Sequence, residues 1–144
     1  MVKSWYSIIL GAEDNVDIAL RLGFLFRTAI GEGGVLVSLA NSQSDKTHSE
    51  QAILVTSPFI DVVGGHRITF SPGDMGLYGK YYFQQYDSSE NPIGGYYNYQ
   101  SSFATGRTIT LESGAKYVRL CCNLEFIKKA YVYDNTDQVY LFKV

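Results

Sequence analysis

Cysteine, tryptophan, histidine and proline are scarce in this 144-residue chain: two Cys, one Trp, two His and three Pro. Two cysteines cannot build a disulfide framework, which fits folding in a reducing compartment. They stand side by side as Cys121 and Cys122. Neighbours on a strand point to opposite faces, so they are not expected to bond each other, and one is expected in the core and the other outside. The histidines, His48 and His66, sit in no nucleophile motif, there is no Gly-x-Ser-x-Gly, and no Cys/His spacing fits zinc. The glycine cluster at 31–34 lacks the Lys-Ser/Thr of a phosphate loop and reads as a turn. Strand-borne carboxylate pairs of the kind a glycosidase needs are nearly absent. The chain is therefore expected not to be an enzyme, and no cofactor is expected.

Charge of one sign is also missing. Twelve Lys and Arg face fourteen Asp and Glu, and Lys128–Lys129 is the only adjacent basic pair. No basic stripe exists for nucleic acid. The longest early apolar run, Ser7–Leu10, is too short for a signal-peptide core or a membrane span. The expectation is a chain made in a cytoplasm and not inserted in a membrane. Loop acids such as Asp87 with Glu90, or Asp134 with Asp137, could share a Ca²⁺ as oxygen ligands, but no loop of alternating Asp exists, so no metal site is assigned.

What is present is a globular composition, 46% hydrophobic, at a size that suits one domain spanning residues 1–144. Alternation of period two runs through most of it. Val16, Ile18, Leu20, Leu22, Phe24 and Phe26 alternate strictly, which argues for a long strand over 16–27; Asp14 could cap a helix, but the spacing favours the strand. Further strands are expected at 35–40, at 52–62 with Pro58 marking a bend or edge, and at 66–70, 79–87, 96–100, 107–111, 117–124, 129–133 and 138–142. Residues 41–50 read as a polar loop and 87–95 as another. About nine or ten short strands with glycine-rich turns indicate an all-β fold, an antiparallel β-sandwich of jelly-roll type.

Tyrosine is the abundant residue. Seven of twelve lie between Tyr78 and Tyr99. Alternation puts Phe83 inward and Tyr82, Gln84 and Tyr86 outward. Tyr97 and Tyr99 share a side of the returning strand and Asn98 takes the other. On 117–124, Tyr117 and Arg119 face away from Val118 and Leu120, and Asp87 can cap the turn after Tyr86 through its own backbone. A face of Tyr rings interleaved with Gln, Asn and Arg suits a sugar, whose axial C–H bonds pack on rings while amides and guanidinium pair with hydroxyls. It suits a protein contact equally, and cross-strand Tyr pairs also simply stabilise a sheet. The candidate ligand-binding residues are Tyr82, Gln84, Tyr86, Asp87, Tyr97, Asn98, Tyr99, Tyr117 and Arg119.

The stretches TSPFIDVVGGHRITFSPG, YYFQQYDSSENPIGGYY and ITLESGAKYVRL, within about residues 54–133, resemble a β-sandwich module of bacteriophage and prophage tail fibre, tail tip and baseplate proteins, itself similar to jelly-roll carbohydrate-binding modules. Tyr86–Asp87 and Gly114–Arg119 carry most of the likeness. It implies a virion tail protein made in the bacterial host cytoplasm, recognising a cell-surface glycan or polysaccharide beside other tail or virion subunits. The second reading is a structural or assembly protein whose Tyr face meets another subunit in a homo-oligomer, a trimer for instance. The first 50 residues match no pattern of this kind, and the alternating strand 16–27 is expected either to complete the sandwich or to mediate assembly.

Overall fold

The computed structural model describes residues 14–38, 53–73, 81–98 and 106–144, with backbone alone at 81–82 and 95–98. Among these residues the chain is mostly strand, and every strand pair is antiparallel. Among the described residues no helix is long and apolar enough to cross a membrane.

The expected strand over 16–27 is instead a helix, α1 (Asn15–Arg21), followed by two short strands, β1 (Leu25–Phe26) and β2 (Thr28–Ile30). The end signals overrule the alternation. Asp14 accepts from the Asp17 N–H as N-cap. At the other end Gly23 takes φ +78°, the Gly23 N–H bonds Leu20 O and the Phe24 N–H bonds Ala19 O, the paired bonds of a Schellman stop. Ile18 and Ala19 are buried and Leu22 packs against the core, a helical stripe, while Leu20 is 51% exposed.

Twelve strands occur among the described residues rather than nine or ten. After β2 a short 3-10 turn (Glu32–Gly34) leads into β3 (Leu36–Ser38), and β2 and β3 form a hairpin. Pro58 does mark a break: it separates β4 (Leu54–Thr56) from β5 (Ile60–Asp61), and both pair with β10 (Tyr117–Asn123). Across the gap the Ser57 N–H donates to Leu120 O, and Ser57 Oγ accepts from the Leu120 N–H. The larger sheet runs β1-β4-β10-β7-β8, with β5 also on β10; β7 is Tyr81–Tyr86 and β8 is Pro92–Asn98. The expected loop at 87–95 is thus shorter, because Pro92 already pairs with Tyr86. The second sheet orders β12 (Val139–Lys143), β11 (Tyr131–Asp134), β6 (Arg67–Ser71) and β9 (Arg107–Thr110).

The two sheets meet face to face. Phe83 of β7 stacks on Phe70 of β6 with ring centroids 3.8 Å apart, and both are fully buried with Val118, Leu120, Ile68 and Val132. The opposite face of β7 and β10 was expected outside, and it is not: the β2–β3 hairpin lies over much of it. There Thr56 Oγ1 donates to Thr28 O, and the Cys121 thiol faces the same carbonyl. Cys121 and Cys122 do point to opposite faces, yet both are buried, because this sheet has cover on both sides. The outward placement of Gln84 and Tyr86 is corrected for the same reason. They are 1% and 3% exposed.

Candidate functional site

Cross-strand register assembles the site. Tyr117 lies opposite Tyr86 and Arg119 opposite Gln84, and opposite residues share a face. The hairpin covers Gln84, its turn reaches the Tyr86 hydroxyl, and the face opens only past that point. Its 3-10 turn fixes the boundary: the Tyr86 hydroxyl donates to Gly34 O at 2.8 Å. Gly34 holds φ +78°, and a Cβ there would come within 2.8 Å of the Gln84 side chain and Pro92. Only glycine permits both the backbone conformation and this approach.

Beyond that boundary lies an open cleft of about 280 Å³, just under the roughly 300–1,000 Å³ of most small-molecule sites. Val35, Leu36 and Pro92 give it aliphatic walls, Phe59 and Tyr86 aromatic ones, and Arg119 and Glu90 its charges. Phe59 is the centre of a ring cluster, edge-on to Tyr86 at 5.0 Å and tilted against Tyr117 at 5.2 Å. The Arg119 guanidinium carbon lies 3.9 Å from the Phe59 centroid and 5.8 Å from that of Tyr86, a cation–π arrangement. Arg119 Nε is buried without a hydrogen-bond partner, and so is Gln84 Oε1. Burial pushes the Tyr86 phenol above its ordinary pKa, and the nearby Arg119 charge opposes this without reversing it.

No protein-family model matches this chain, and no match is found among curated proteins or solved structures.

Of the residues singled out from sequence, Tyr86 and Arg119 line the cleft and Tyr117 stands behind Phe59. Gln84 lies under the hairpin and is spent on structure, its amide nitrogen donating to Gln85 O and Ile93 O. Asp87 does what its turn position predicts: Oδ1 accepts from the Ser89 and Asn91 N–H groups. The side chains of Tyr82, Tyr97 and Asn98, and all of Tyr99, lie outside the described residues. Phe59, Val35, Leu36, Glu90 and Pro92 were not expected. Phe59 had a visible signal in the Pro58-Phe59-Ile60 step. Val35 and Leu36 had none, because nothing local shows which face a distant hairpin will cover.

A second cluster joins His66, Asp134 and Asp137, whose ligand-type atoms lie within 4.8 Å of one another. Asp134 Oδ1 accepts from the Thr136 and Asp137 N–H groups, and Oδ2 meets His66 Nδ1 at 2.9 Å. Both oxygens of Asp134 thus close the β11–β12 turn and tie it to the start of β6, which is a structural role. The hydrogen bond to Asp134 raises the His66 pKa. Burial pushes Asp134 up, but the Asp137 N–H, His66 and the Thr136 N–H outweigh it and the net shift is downward.

Proposed function

We propose that this chain is a non-catalytic sugar-binding module of jelly-roll type, acting in recognition of cell-surface carbohydrate within a phage or prophage tail structure. The observation that carries the reading is the Arg119 guanidinium stacked on Phe59 in an open, aromatic-walled cleft. Ring faces receive the C–H surface of a pyranose, and the guanidinium and the Glu90 carboxylate bracket its oxygens as donor and acceptor. The placement in a tail, in a virion assembled in the host cytoplasm beside other tail subunits, follows from the resemblance of residues 54–133 alone.

The test is an array of glycans and cell-wall polysaccharides probed with the wild-type chain and with Phe59→Ala. Phe59 is only half-buried, so the variant should fold. Binding by the wild type that Phe59→Ala abolishes supports the module and locates its site. No binding by a folded sample, or binding that the variant keeps, sinks this reading of the cleft.

One observation favours the alternative of a structural or assembly subunit. The outer face of the second sheet carries Tyr131, Tyr133 and Tyr140, with centroids of the first two 6.1 and 4.8 Å from the third. Tyr140 is 49% exposed on β12, an edge strand. Under this reading the chain forms a defined homo-oligomer through that face, and Tyr140→Glu disperses it in light scattering. A wild type that scatters only as monomer argues against it.

A further inference from the structure

We infer that the cleft takes a carboxylate-bearing sugar, a uronic-acid unit of an acidic polysaccharide, with Arg119 receiving the carboxylate. This rests on the sugar-binding reading of the same cleft and narrows it to one ligand class.

Among the described residues Arg119 enters no salt bridge, and its Nε is buried without a partner. Its neighbours are uncharged: the Phe59 ring lies beneath the guanidinium, and Tyr86 stands to one side with its neutral phenol within reach of it. Ring faces attract a cation but leave its net charge standing. A partly desolvated guanidinium interacts with an incoming anion more strongly than one in open water, because the local dielectric is lower. Its planar fork fits a carboxylate with two parallel hydrogen bonds.

The walls decide what carries that carboxylate. Val35, Leu36 and Pro92 present aliphatic surface around the charge. A small hydrated anion would leave these walls unfilled, whereas a pyranose brings C–H surface for them and hydroxyls for the rim. Among the described residues Glu90 is the one other charged residue lining the cleft, and it forms no salt bridge with Arg119. For a neutral sugar Glu90 is a useful hydroxyl acceptor; for an acidic sugar it is a like charge at the edge of the site. The two ligand classes therefore predict opposite effects of its removal.

The experiment is calorimetric titration of the full chain with oligogalacturonate, with the same oligomer methyl-esterified, and with neutral oligogalactan. Glu90→Gln and Arg119→Gln are run alongside, with thermal unfolding as the check on folding. Glu90 is exposed in a turn, so its variant does not endanger the fold. We expect oligogalacturonate to bind, and the ester to bind about tenfold more weakly or less, as loss of a charge-assisted hydrogen bond requires. Arg119→Gln should show a similar loss, and Glu90→Gln should tighten the acid about two- to threefold, an effect that shrinks with added salt. Equal binding of acid, ester and neutral oligomer, with Glu90→Gln weakening all three, overturns the acidic assignment and leaves the sugar-binding module standing. Silence here and across the glycan array removes both.

Discussion

Phe70 of one sheet and Phe83 of the other lie parallel within 4°, their centroids 3.8 Å apart, and neither ring reaches solvent. This contact joins the two sheets at their centre. Removing either ring leaves a cavity lined by side chains that belong to different sheets and cannot collapse locally. Phe83→Ala should therefore cost about 3–5 kcal/mol, read as a lower midpoint in urea at unchanged slope. A loss below about 1 kcal/mol would mean the sheets are held together elsewhere.

Tyr86 separates hairpin anchoring from ligand contact. Tyr86→Phe removes the hydroxyl bond to Gly34 O and keeps the ring that walls the cleft. It should lose about 1 kcal/mol of stability and leave glycan binding nearly unchanged. Gly34→Ala should do more harm, since its φ of +78° and the 2.8 Å approach to Gln84 and Pro92 leave a methyl nowhere to go. Chemical denaturation of both variants, beside binding to the best array ligand, checks the order.

The paired cysteines are shielded. Burial pushes the Cys121 thiol up to about 12 and raises that of Cys122 well above its ordinary value, with the neighbouring Cys121 adding to the effect on Cys122. Thiolate is the reactive form, so an alkylating reagent at pH 8 should leave both untouched in the folded protein. Both should react together on unfolding. Mass spectrometry that finds one thiol modified under native conditions would contradict the double cover of this sheet.

His66 and Asp134 set a pH window. His66 titrates higher in the folded chain than the ordinary 6.5, so its contribution is full below that value and fades as pH rises through the folded pKa. Asp134 titrates lower than 3.8, so its contribution is full above that value and fades as pH falls through the folded pKa. The pair contributes most between those two reference values. The gap in Tm between wild type and His66→Gln should be wider at pH 5.5 than at pH 8.5. An equal gap at both would mean that His66 acts without its charge.

Much of the sheet structure could be read from alternation: Val118 and Leu120 inward, Arg119 and Tyr117 on the other face, Pro58 at a break, Asp87 capping its own turn. Two things were not legible, for different reasons. The helix at 15–21 was hidden because Val16, Ile18, Leu20 and Leu22 satisfy period two by accident. Its true marks were at the ends, in Asp14, Arg21 and Gly23, where capping chemistry lies. The cover over Gln84 and Tyr86 was hidden because alternation reports which residues share a face and never what lies across from it. A face rich in Tyr, Gln and Arg looks the same whether it meets water or a hairpin from far upstream. The cleft is the remainder of that face, and so its position depended on a contact that no local pattern encodes.

That contact has a kinetic side. Tyr86 meets Gly34 from 52 residues away, and the Cys121 thiol meets Thr28 O across 93. Closing loops of such length precedes any gain from the contacts they bring, and chains dominated by distant pairings fold slowly, in milliseconds to seconds. The hairpin is made before the strands it rests on, β4, β7 and β10, and its cover is complete only when β10 follows. Synthesis must therefore pass Arg119 on β10 before the cleft exists, and a fragment that stops short of that strand lacks the guanidinium that defines it.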